Sequence, residues 1–459
     1  MKQPDIENRL ASVEGRGAIP GFPKQAGKAQ DPWSWVERSV WSQRMLNRLE
    51  STQEQTVWWA LWDKVCSPEN LDAAILKVIV NKGSAGVDNQ TTHQLAQDWD
   101  RNRNQLLGEL RAGQYQPLPV KRVWIDKAGS KDKRPLGVPA VRDRAVQTAL
   151  RAVMEPIFEK DFSDRSYGFR PGRGCLQALE RVESLLRAGH TWIVDADIKA
   201  YFDSIPQDKL LEQIERRIAD GTVLRLIRQY LEAGVMETMR DWKPTLQGTP
   251  QGSGISPLLA NIYLNPLDHQ MSRANKEMVR YADDFVICCR TEAEAQEALA
   301  MVAGFAGAAG LKLHPEKTRI VNAAEKGGFD FLGYHFERYR EGGGLKWPRK
   351  KSLEKLRASI REKTRRGRPG AVSQIIAEIN PTLRGWYGYF KYSIPTAMVR
   401  VDEWVRERIR HILRRRQKRQ GMVKGRERTE YPIAWFAGQG LFSLKNAQAQ
   451  WIQSQQGTH

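Results

Sequence analysis

Two adjacent carboxylates between runs of strand-forming residues constrain this chain more than any other feature. Asp283 and Asp284 lie between residues 279–282, with the sequence VRYA, and residues 285–289, with the sequence FVICC. Because β-branched and aromatic residues favour strands, the pattern predicts a hairpin with both acids at its turn. Carboxylate oxygens backed by apolar strands suit Mg²⁺, a hard cation that takes oxygen ligands. Such a tetrapeptide also arises by chance, so the prediction depends on further motifs.

The charge balance indicates a polyanionic partner. The 459 residues include 73 Lys and Arg against 53 Asp and Glu, which gives a net charge of +20. Such an excess repels itself in a compact fold unless a polyanion neutralises it. The basic residues concentrate in the last third of the chain among aromatics, which favours nucleic acid over a merely solvated basic surface. The 41% of hydrophobic residues suffice for packed cores and exclude a disordered protein.

The cysteines and the apolar runs exclude several classes of site and location. Cys66, Cys175, Cys288 and Cys289 show no C-x₂-C spacing, so we expect no zinc site. Cys288 and Cys289 are neighbours in a predicted strand and should point to opposite faces. No apolar run approaches the ~18 residues of a membrane span, and the first thirty residues lack an apolar signal core. We therefore expect reduced thiols, no membrane partner and a cytoplasmic protein, which a DNA target would associate with the nucleoid.

A third acid supports the metal prediction. Asp197 ends the buried-type strand 192–198, which has the sequence WIVDADI. If this strand neighbours the predicted hairpin in one sheet, Asp197, Asp283 and Asp284 meet. Three carboxylates around two Mg²⁺ ions form a site for in-line phosphoryl transfer. The alternative is three ordinary surface acids.

Periodicity and turn residues predict an α+β fold followed by helices. The predicted strands are 119–125, its hairpin partner 131–137, 192–198, the two strands around the acid pair, and one strand over 329–336. The predicted helical regions are 142–158, 206–233, 256–273, 292–310, 349–366, 371–393 and 396–420. Past residue 345 we expect no further strand.

An ordered series of motifs identifies the chain as resembling the group II intron-encoded reverse transcriptases. The motifs are RPLGVP at 134–139, YGFRPGR at 167–173, DIKAYF at 197–202, GTPQG at 248–252, YADD at 281–284, GLKLHPEK at 310–317 and FLG at 331–333. Each motif alone is moderately specific, whereas the series, within residues 55–440, is highly specific. The resemblance implies a right-hand polymerase with fingers and palm, an α-helical thumb/maturase domain and a basic C-terminal region.

The resemblance also implies domain boundaries. They are a flexible N-terminal extension at 1–45, fingers at 46–190 with an insertion loop at 81–88, a palm at 191–340 with the catalytic acids, a helical thumb and maturase domain at 341–400, and a basic DNA- and RNA-binding region at 401–459.

The resemblance assigns the chemistry to a few residues. Asp197 and Asp283 are similar to the main metal ligands of the family, Asp284 to its third acid, and Ile198 to a residue of the same metal site. Lys317 resembles a lysine that protonates the leaving pyrophosphate. Its alternative is a surface lysine beside Glu316.

Four further residues resemble the nucleotide-binding set. Lys127 and Arg134 are similar to the cations that grip the triphosphate, and solvated basic side chains are the alternative. Phe202 resembles the bulky residue beneath the incoming sugar that excludes a 2′-hydroxyl, against an alternative as a core aromatic. Gln251 resembles a loop residue near the templating base, against a simple turn. The segment that resembles the primer grip consists of Phe331, Leu332 and Gly333.

Basic residues are expected to contact nucleic acid. Arg170 and Arg173 resemble supports of the template strand. Arg384 and Lys391 flank an aromatic helix face and are expected to face RNA. The region 405–420 holds eight Lys and Arg residues and a single acid, Glu407. There Arg414, Arg415 and Arg416 are expected to contact the RNA backbone rather than form a solvated helix.

The resemblance implies an RNA-directed DNA polymerase that copies intron RNA into cDNA with two Mg²⁺ ions. Its partners are group II intron RNA, which it binds to assist splicing and retrohoming, a DNA target and primer, and dNTPs. One alternative is a retron, diversity-generating or defence-associated reverse transcriptase, although the retron version predicts no basic helical region after the thumb. Another is a splicing-only maturase, which predicts a broken acid triad. Because no Cys follows Cys289, we expect an endonuclease-lacking protein, similar to the bacterial class C members.

Overall fold

A computed structural model of the protein describes residues 31–52, 56–126, 133–238, 241–338, 344–365, 369–419, 423 and 425–456. The described chain forms two compact units, one within Met1–Leu185 and Trp192–Ile320 and the other within Leu186–Thr191 and Val321–His459. The predictions for residues 1–30 and for Lys127 lie outside the described residues. The mixture of helices and sheets with a helical C-terminal region confirms the predicted α+β class.

The elements up to residue 322 are numbered in chain order. The helices are α1 Gln43–Ser51, α2 Trp62–Val65, α3 Pro68–Val80, α4 Thr92–Gln97, α5 Trp99–Arg111, α6 Val141–Glu159, α7 Cys175–Arg187, α8 Tyr201–Ser204, α9 Gln207–Glu215, α10 Gly221–Glu232, α11 Ser256–Arg273 and α12 Glu292–Ala308. The strands are β1 Val120–Asp126, β2 Lys133–Val138, β3 Trp192–Asp197, β4 Val235–Thr238, β5 Asp241–Lys243, β6 Glu277–Tyr281, β7 Asp284–Cys289 and β8 Arg319–Asn322.

The remaining elements are three strands and a set of helices. The strands are β9 Phe329–Phe331, β10 Tyr334–Arg338 and β11 Gly344–Pro348. The helices are α13 Lys350–Lys363, α14 Val372–Phe390, α15 Pro395–Arg416, α16 Gly425–Glu430, α17 Ile433–Gly438 and α18 Leu444–Gln456.

The acid-bearing sheet, in the order β6-β7-β3-β8, explains the apolar run after the acid pair. β7 lies between β6 and β3 and pairs antiparallel with both. Every residue of β7 after Asp284 is buried, and α12 packs against both β3 and β7. A central strand covered on both faces has no polar face, which is why FVICC does not alternate. The predicted hairpin and the predicted strand before Asp197 are confirmed.

A second sheet, in the order β2-β1-β4-β5, contains strands that the sequence did not predict. β1 and β2 form the predicted hairpin, and β1 also pairs parallel with β4, with Val120 opposite Val235. β4 and β5 are short, and all three residues of β5 are exposed. A strand with little buried surface carries no apolar alternation, so its sequence gives no strand signal.

The predicted helical region 206–233 is two helices because Asp220 interrupts it. One carboxylate oxygen of Asp220 accepts hydrogen bonds from the backbone N–H groups of Thr222 and Val223 and caps α10. The other accepts from the N–H groups of Leu61 and Trp62. An N-capping aspartate accepts from backbone N–H groups that the first turn of a helix would leave unpaired, so a second helix begins at this point.

The prediction of one strand over 329–336 and no strand after 345 was wrong. β9 and β10 form a hairpin, because Leu332 and Gly333 both have positive φ angles, +46° and +83°. β11 then pairs with β10. The region after 420 also contains three helices that were not predicted from the sequence, α16, α17 and α18. Asp402 binds the start of α18 by accepting from the N–H groups of Leu444 and Lys445.

The described residues of the predicted N-terminal extension contribute to the hydrophobic core of the first unit. Trp33, Val36, Val40 and Trp41 are buried, and the Trp41 indole donates to the carbonyl of Ala152 at 3.1 Å. A buried indole with its N–H satisfied is a stable packing element. The described part of the extension therefore packs against α6.

The four cysteines are free thiols in different surroundings. Cys66, Cys288 and Cys289 are buried, and Cys175 is half-buried. Burial raises the pKa of Cys66 to about 12 and that of Cys289 to about 11, and it raises the pKa of Cys288 further. Among the described residues no helix has the length and apolar character needed to span a membrane.

Candidate active site

The sheet register brings the three predicted acids to one end of the acid-bearing sheet. Tyr281 lies opposite Asp284, so Ala282 and Asp283 form a two-residue turn between β6 and β7. Asp197, the last residue of β3, lies opposite Asp284 on the other side of β7. Ala282 has a φ of +59°, a left-handed conformation that costs a non-glycine residue about 1–2 kcal/mol. Asp283 therefore occupies a tight turn that the surrounding structure must stabilise, and Asp284 and Asp197 lie on the adjoining strands.

The site concentrates negative charge in partly dry surroundings. Burial is the main cause that raises the pKa of Asp283, and the neighbouring Asp197 raises it further, while Arg134 and Arg280 oppose the rise. The ammonium of Lys317 lies 2.6 Å from Oδ2 of Asp197. Neighbouring carboxylates such as Asp197 and Asp283 favour a cation or a proton between them. The cluster is thus suited to cation binding.

The donor set fits Mg²⁺ when the substrate supplies part of the coordination. Asp197, Asp283 and Asp284 offer carboxylate oxygens, and Ile198 is buried beside Asp197, where its part in a metal site stays a prediction. Within the described ranges, no group of three or more His, Cys, Asp and Glu side chains is arranged to hold a metal ion by itself. Protein sites for Mg²⁺ commonly supply one or two carboxylates and leave the other positions to water and substrate phosphates.

A hydrogen-bonded chain of side chains joins the β1–β2 hairpin to the loop at 248–252. Nε of Arg134 donates to Gln251 at 2.7 Å, and the Gln251 amide donates to Asp203 at 3.2 Å. The backbones touch as well, since a Cβ on Gly252 would lie 2.5 Å from the carbonyl oxygen of Gly137. The predicted nucleotide-binding residues Arg134 and Gln251 therefore meet.

Phe202 lies on α8, directly after the strand that carries Asp197. The residue is 8% exposed, and its ring meets Tyr201 edge-on with centroids 5.5 Å apart. Its backbone carbonyl accepts from the N–H of Thr249 at 2.7 Å, which ties α8 to the loop of Gln251. The ring is thus held next to the predicted nucleotide-binding loop, and its role as a sugar gate stays a prediction.

Sequence reasoning missed Asp203, which accepts the Gln251 hydrogen bond. Burial raises the pKa of Asp203, and Arg122, Gln251 and Arg134 oppose the rise. Its only sequence signal is its place six residues after Asp197, on the short helix that also carries Phe202.

The predicted primer-grip segment forms the β9–β10 turn of the second unit. The carbonyl of Leu332 accepts from the Tyr389 hydroxyl at 2.6 Å. The carbonyl of Gly333 accepts from the N–H of Arg349 and the hydroxyl of Ser352, both at 3.0 Å. Phe331 is buried. The turn is therefore held by its own unit, and its role as a primer grip stays a prediction.

Arg170 is buried rather than presented to a template strand. The residue is 6% exposed, and its guanidinium binds Glu159 and donates to the carbonyl of Ser166 at 2.7 Å. Its placement supports a role inside the protein and gives no support to the predicted template contact. Arg173 is partly exposed and donates to the carbonyl of Asp164 at 2.8 Å.

Arg384 and Lys391 lie against aromatic rings of the second unit. The Arg384 guanidinium lies over the ring of Phe442 at 4.5 Å. The Lys391 ammonium lies 5.2 Å from the ring centres of both Tyr392 and Trp451. Cation–π pairs order these side chains, and their contact with RNA stays a prediction.

The basic triplet at the end of α15 divides into different environments. Arg414 forms an ion pair with Glu427 of α16, which is 1% exposed. Arg416 donates to the carbonyl of Gly370 at 2.6 Å. Arg415 is exposed. The three side chains therefore do not form one uniform RNA-binding surface.

This division predicts opposite results for two neighbouring substitutions. Arg414→Ala should lower the melting temperature, but by less than the ~3–5 kcal/mol that a fully unpaired buried charge costs, because Arg419 remains 3.7 Å from the Glu427 carboxylate. Arg415→Ala should leave the melting temperature unchanged and reduce the salt dependence of RNA binding by roughly one unit of log–log slope. Thermal unfolding and binding titrations at several salt concentrations measure both. Equal melting temperatures for the two variants would contradict the assignment of Arg414.

Two family matches cover much of the chain. Residues 125–336 match the family described as reverse transcriptase (RNA-dependent DNA polymerase). Residues 353–431 match the family described as group II intron, maturase-specific domain. The first match spans all three acids, and the second spans α14 and α15.

Curated relatives agree with these matches. Protein YkfC of Escherichia coli is 34% identical over 61% of this chain and 83% of that protein. An uncharacterized 91 kDa protein in the cob intron of Schizosaccharomyces pombe is 32% identical over 63% of this chain and 45% of that protein. The group II intron-encoded protein LtrA of Lactococcus lactis is 36% identical over 49% of this chain, and the match spans 37% of its own length. The chain belongs to the group II intron-encoded reverse transcriptase and maturase family.

Proposed function

We propose that this protein copies intron RNA into DNA at the end of the acid-bearing sheet and binds group II intron RNA to assist splicing and retrohoming. The observation that carries the proposal is the register that places Asp197 opposite Asp284, with Asp283 in the adjoining turn. Family membership supports the polymerase class.

The proposed reaction adds a dNTP to the 3′ end of a primer paired with RNA. Asp197 and Asp283 would hold two Mg²⁺ ions, with Asp284 as the third acid. When bound, Mg²⁺ supplies charge stabilisation at the attacking and leaving oxygens. Arg134 is proposed to hold the triphosphate, a role that its planar fork of donors suits. Lys317, whose ammonium contacts Asp197, is proposed to give its proton to the pyrophosphate.

Phe202 and Gln251 are proposed to select the nucleotide. The ring of Phe202 would lie beneath the 2′ carbon of the incoming sugar, where a 2′-hydroxyl collides with it. Gln251 is held between Arg134 and Asp203, so its backbone and amide are fixed before a nucleotide arrives. A fixed pocket loses less entropy on binding than a mobile one.

RNA binding is proposed for the basic second unit. The maturase-specific match covers residues 353–431, and the exposed cations there include Arg384 and Arg415. Phosphate contacts from Lys and Arg supply most of the affinity for RNA and make it dependent on salt. A DNA target and primer and dNTPs complete the proposed set of partners.

The second candidate function is splicing assistance without polymerisation. That function needs no metal-binding acids, whereas this chain keeps Asp197, Asp283 and Asp284 on adjacent strands. The register therefore favours an active polymerase.

The test combines primer extension with a splicing assay. The full chain is incubated with a primed RNA template, dNTPs and Mg²⁺, and separately with a group II intron transcript at low Mg²⁺. We expect cDNA in the first reaction and faster exon ligation in the second. Splicing without any cDNA would reject the polymerase proposal and leave the splicing-only function.

A further inference from the structure

A buried ion pair lies beneath the turn that carries Asp283. Arg280 of β6 is fully buried, as is Asp268 of α11. The guanidinium grips the carboxylate with two nitrogens, Nε to Oδ1 at 2.8 Å and Nη2 to Oδ2. Two parallel charge-assisted bonds fix the plane of the guanidinium as well as its position.

The third nitrogen of this guanidinium holds the turn itself. Nη1 of Arg280 donates to the carbonyl oxygen of Ala282 at 2.9 Å and to Oδ1 of Asn261 at 2.9 Å. Asn261 and Asp268 are seven residues apart on α11, so they lie on the same helix face about two turns apart. The helix therefore positions the guanidinium, and the guanidinium positions the carbonyl next to Asp283.

A backbone contact closes the turn from the other side. The amide of Asn261 donates to the carbonyl of Gly168 at 2.8 Å. A Cβ on Gly168 would lie 2.3 Å from the backbone nitrogen of Ala282, so only glycine permits this approach. The N–H of Tyr167 also donates to the carbonyl of Arg280 at 2.8 Å. The left-handed Ala282 is thus held by the guanidinium below and by the 167–168 backbone beside it.

We propose that Arg280 is a positioning residue for polymerisation, because it holds the Ala282 carbonyl and so fixes the direction of the Asp283 carboxylate before a cation binds. The inference rests on the proposed polymerase function. The proposed role requires arginine specifically, because a lysine ammonium lacks the planar fork of donors that binds Asp268 and Ala282 together. Asn261 belongs to the same arrangement, because it aligns Nη1 and anchors Gly168.

The test compares Arg280→Lys with a matched control in the full chain. Arg103→Lys is the control, because Arg103 also binds both oxygens of one aspartate, Asp72, at 2.9 Å. Hydrogen–deuterium exchange of the backbone amides at 281–285 measures the rigidity of the turn without metal or substrate. Primer extension over a range of Mg²⁺ concentrations measures its consequence, and primer–template binding is measured in parallel.

We expect Arg280→Lys to exchange the turn amides about tenfold faster, because a hydrogen bond to a charged group is lost. The Mg²⁺ concentration for half-maximal extension should rise by a similar factor, with primer–template binding unchanged. Arg103→Lys should change neither quantity, even if its melting temperature falls.

Two results would overturn the proposal. The first is a folded Arg280→Lys variant with wild-type exchange at the turn and wild-type Mg²⁺ dependence. If that variant does not fold, Asn261→Ala is tested instead, because it keeps the Arg280–Asp268 pair. The second overturning result is unchanged hydrogen–deuterium exchange at the turn in the Asn261→Ala variant. If the wild-type chain extends no primer, the proposed function fails, while the exchange comparison still decides the role of Arg280.

Discussion

Replacing Asp283 with asparagine should reduce cDNA synthesis by roughly 10³-fold, and Asp197→Asn should do the same. The charge stabilisation that bound metal supplies is worth several kcal/mol, and each 1.36 kcal/mol changes a rate tenfold. Asparagine keeps the shape of the half-buried Asp283 side chain and removes its charge, so the fold should persist. Single-turnover primer extension on an RNA template with Mg²⁺ measures the loss.

RNA binding and an ordinary acid provide the controls for this prediction. The acids bind cations and contribute little to the grip on a polyanion, so both variants should bind RNA with nearly wild-type affinity. Asp208→Asn, which changes an exposed acid on α9 paired with Arg228, should leave the rate unchanged. A near-native extension rate for Asp283→Asn would show that the metal site has been placed wrongly.

Replacing Phe202 with alanine should relax the choice between deoxyribonucleotides and ribonucleotides. Removing a steric contact in a binding pocket typically changes discrimination by roughly 10- to 200-fold. The ratio of kcat/KM for dNTP and rNTP, measured on one primer–template, should fall by about that factor. The ratio should fall because kcat/KM for rNTP increases, since the smaller side chain leaves room for the 2′-hydroxyl.

A second phenylalanine separates selection from packing. Phe158→Ala removes a buried ring of α6 and should cost about 3–5 kcal/mol of stability, with no effect on the nucleotide ratio. If Phe202→Ala lowers the melting temperature as Phe158→Ala does and keeps the wild-type ratio, the Phe202 ring serves only the core.

Local pattern predicted the elements that carry the acids, because their burial leaves a strong signal. The run after Asp284 is apolar because β7 is covered on both faces, and α11 was predicted at its observed bounds, Ser256–Arg273. The meeting of Asp197 with Asp284 could only be assumed, since no local pattern states which strands are neighbours. The pairing of β3 with β7 in the structure places Asp197 opposite Asp284.

Charged residues in the interior were beyond prediction from sequence. Charged side chains are rarely buried unless paired, and the pairing of Arg280 with Asp268 is visible only in three dimensions. The different environments of Arg414 and Arg415 could not be predicted for the same reason. Glu427, which forms an ion pair with Arg414, lies on α16, a helix that was not predicted from the sequence.

The unequal burial of the four thiols makes the chain suitable for site-specific labelling. Only a thiolate reacts readily with an alkylating dye, and the raised pKa values of Cys66, Cys288 and Cys289 keep those thiols protonated. Cys175 is half-buried and hydrogen-bonds with the Tyr281 side chain. A maleimide fluorophore on the native sequence should therefore attach first at Cys175, where its emission reports on the neighbourhood of Tyr281 as primer, template and nucleotide bind.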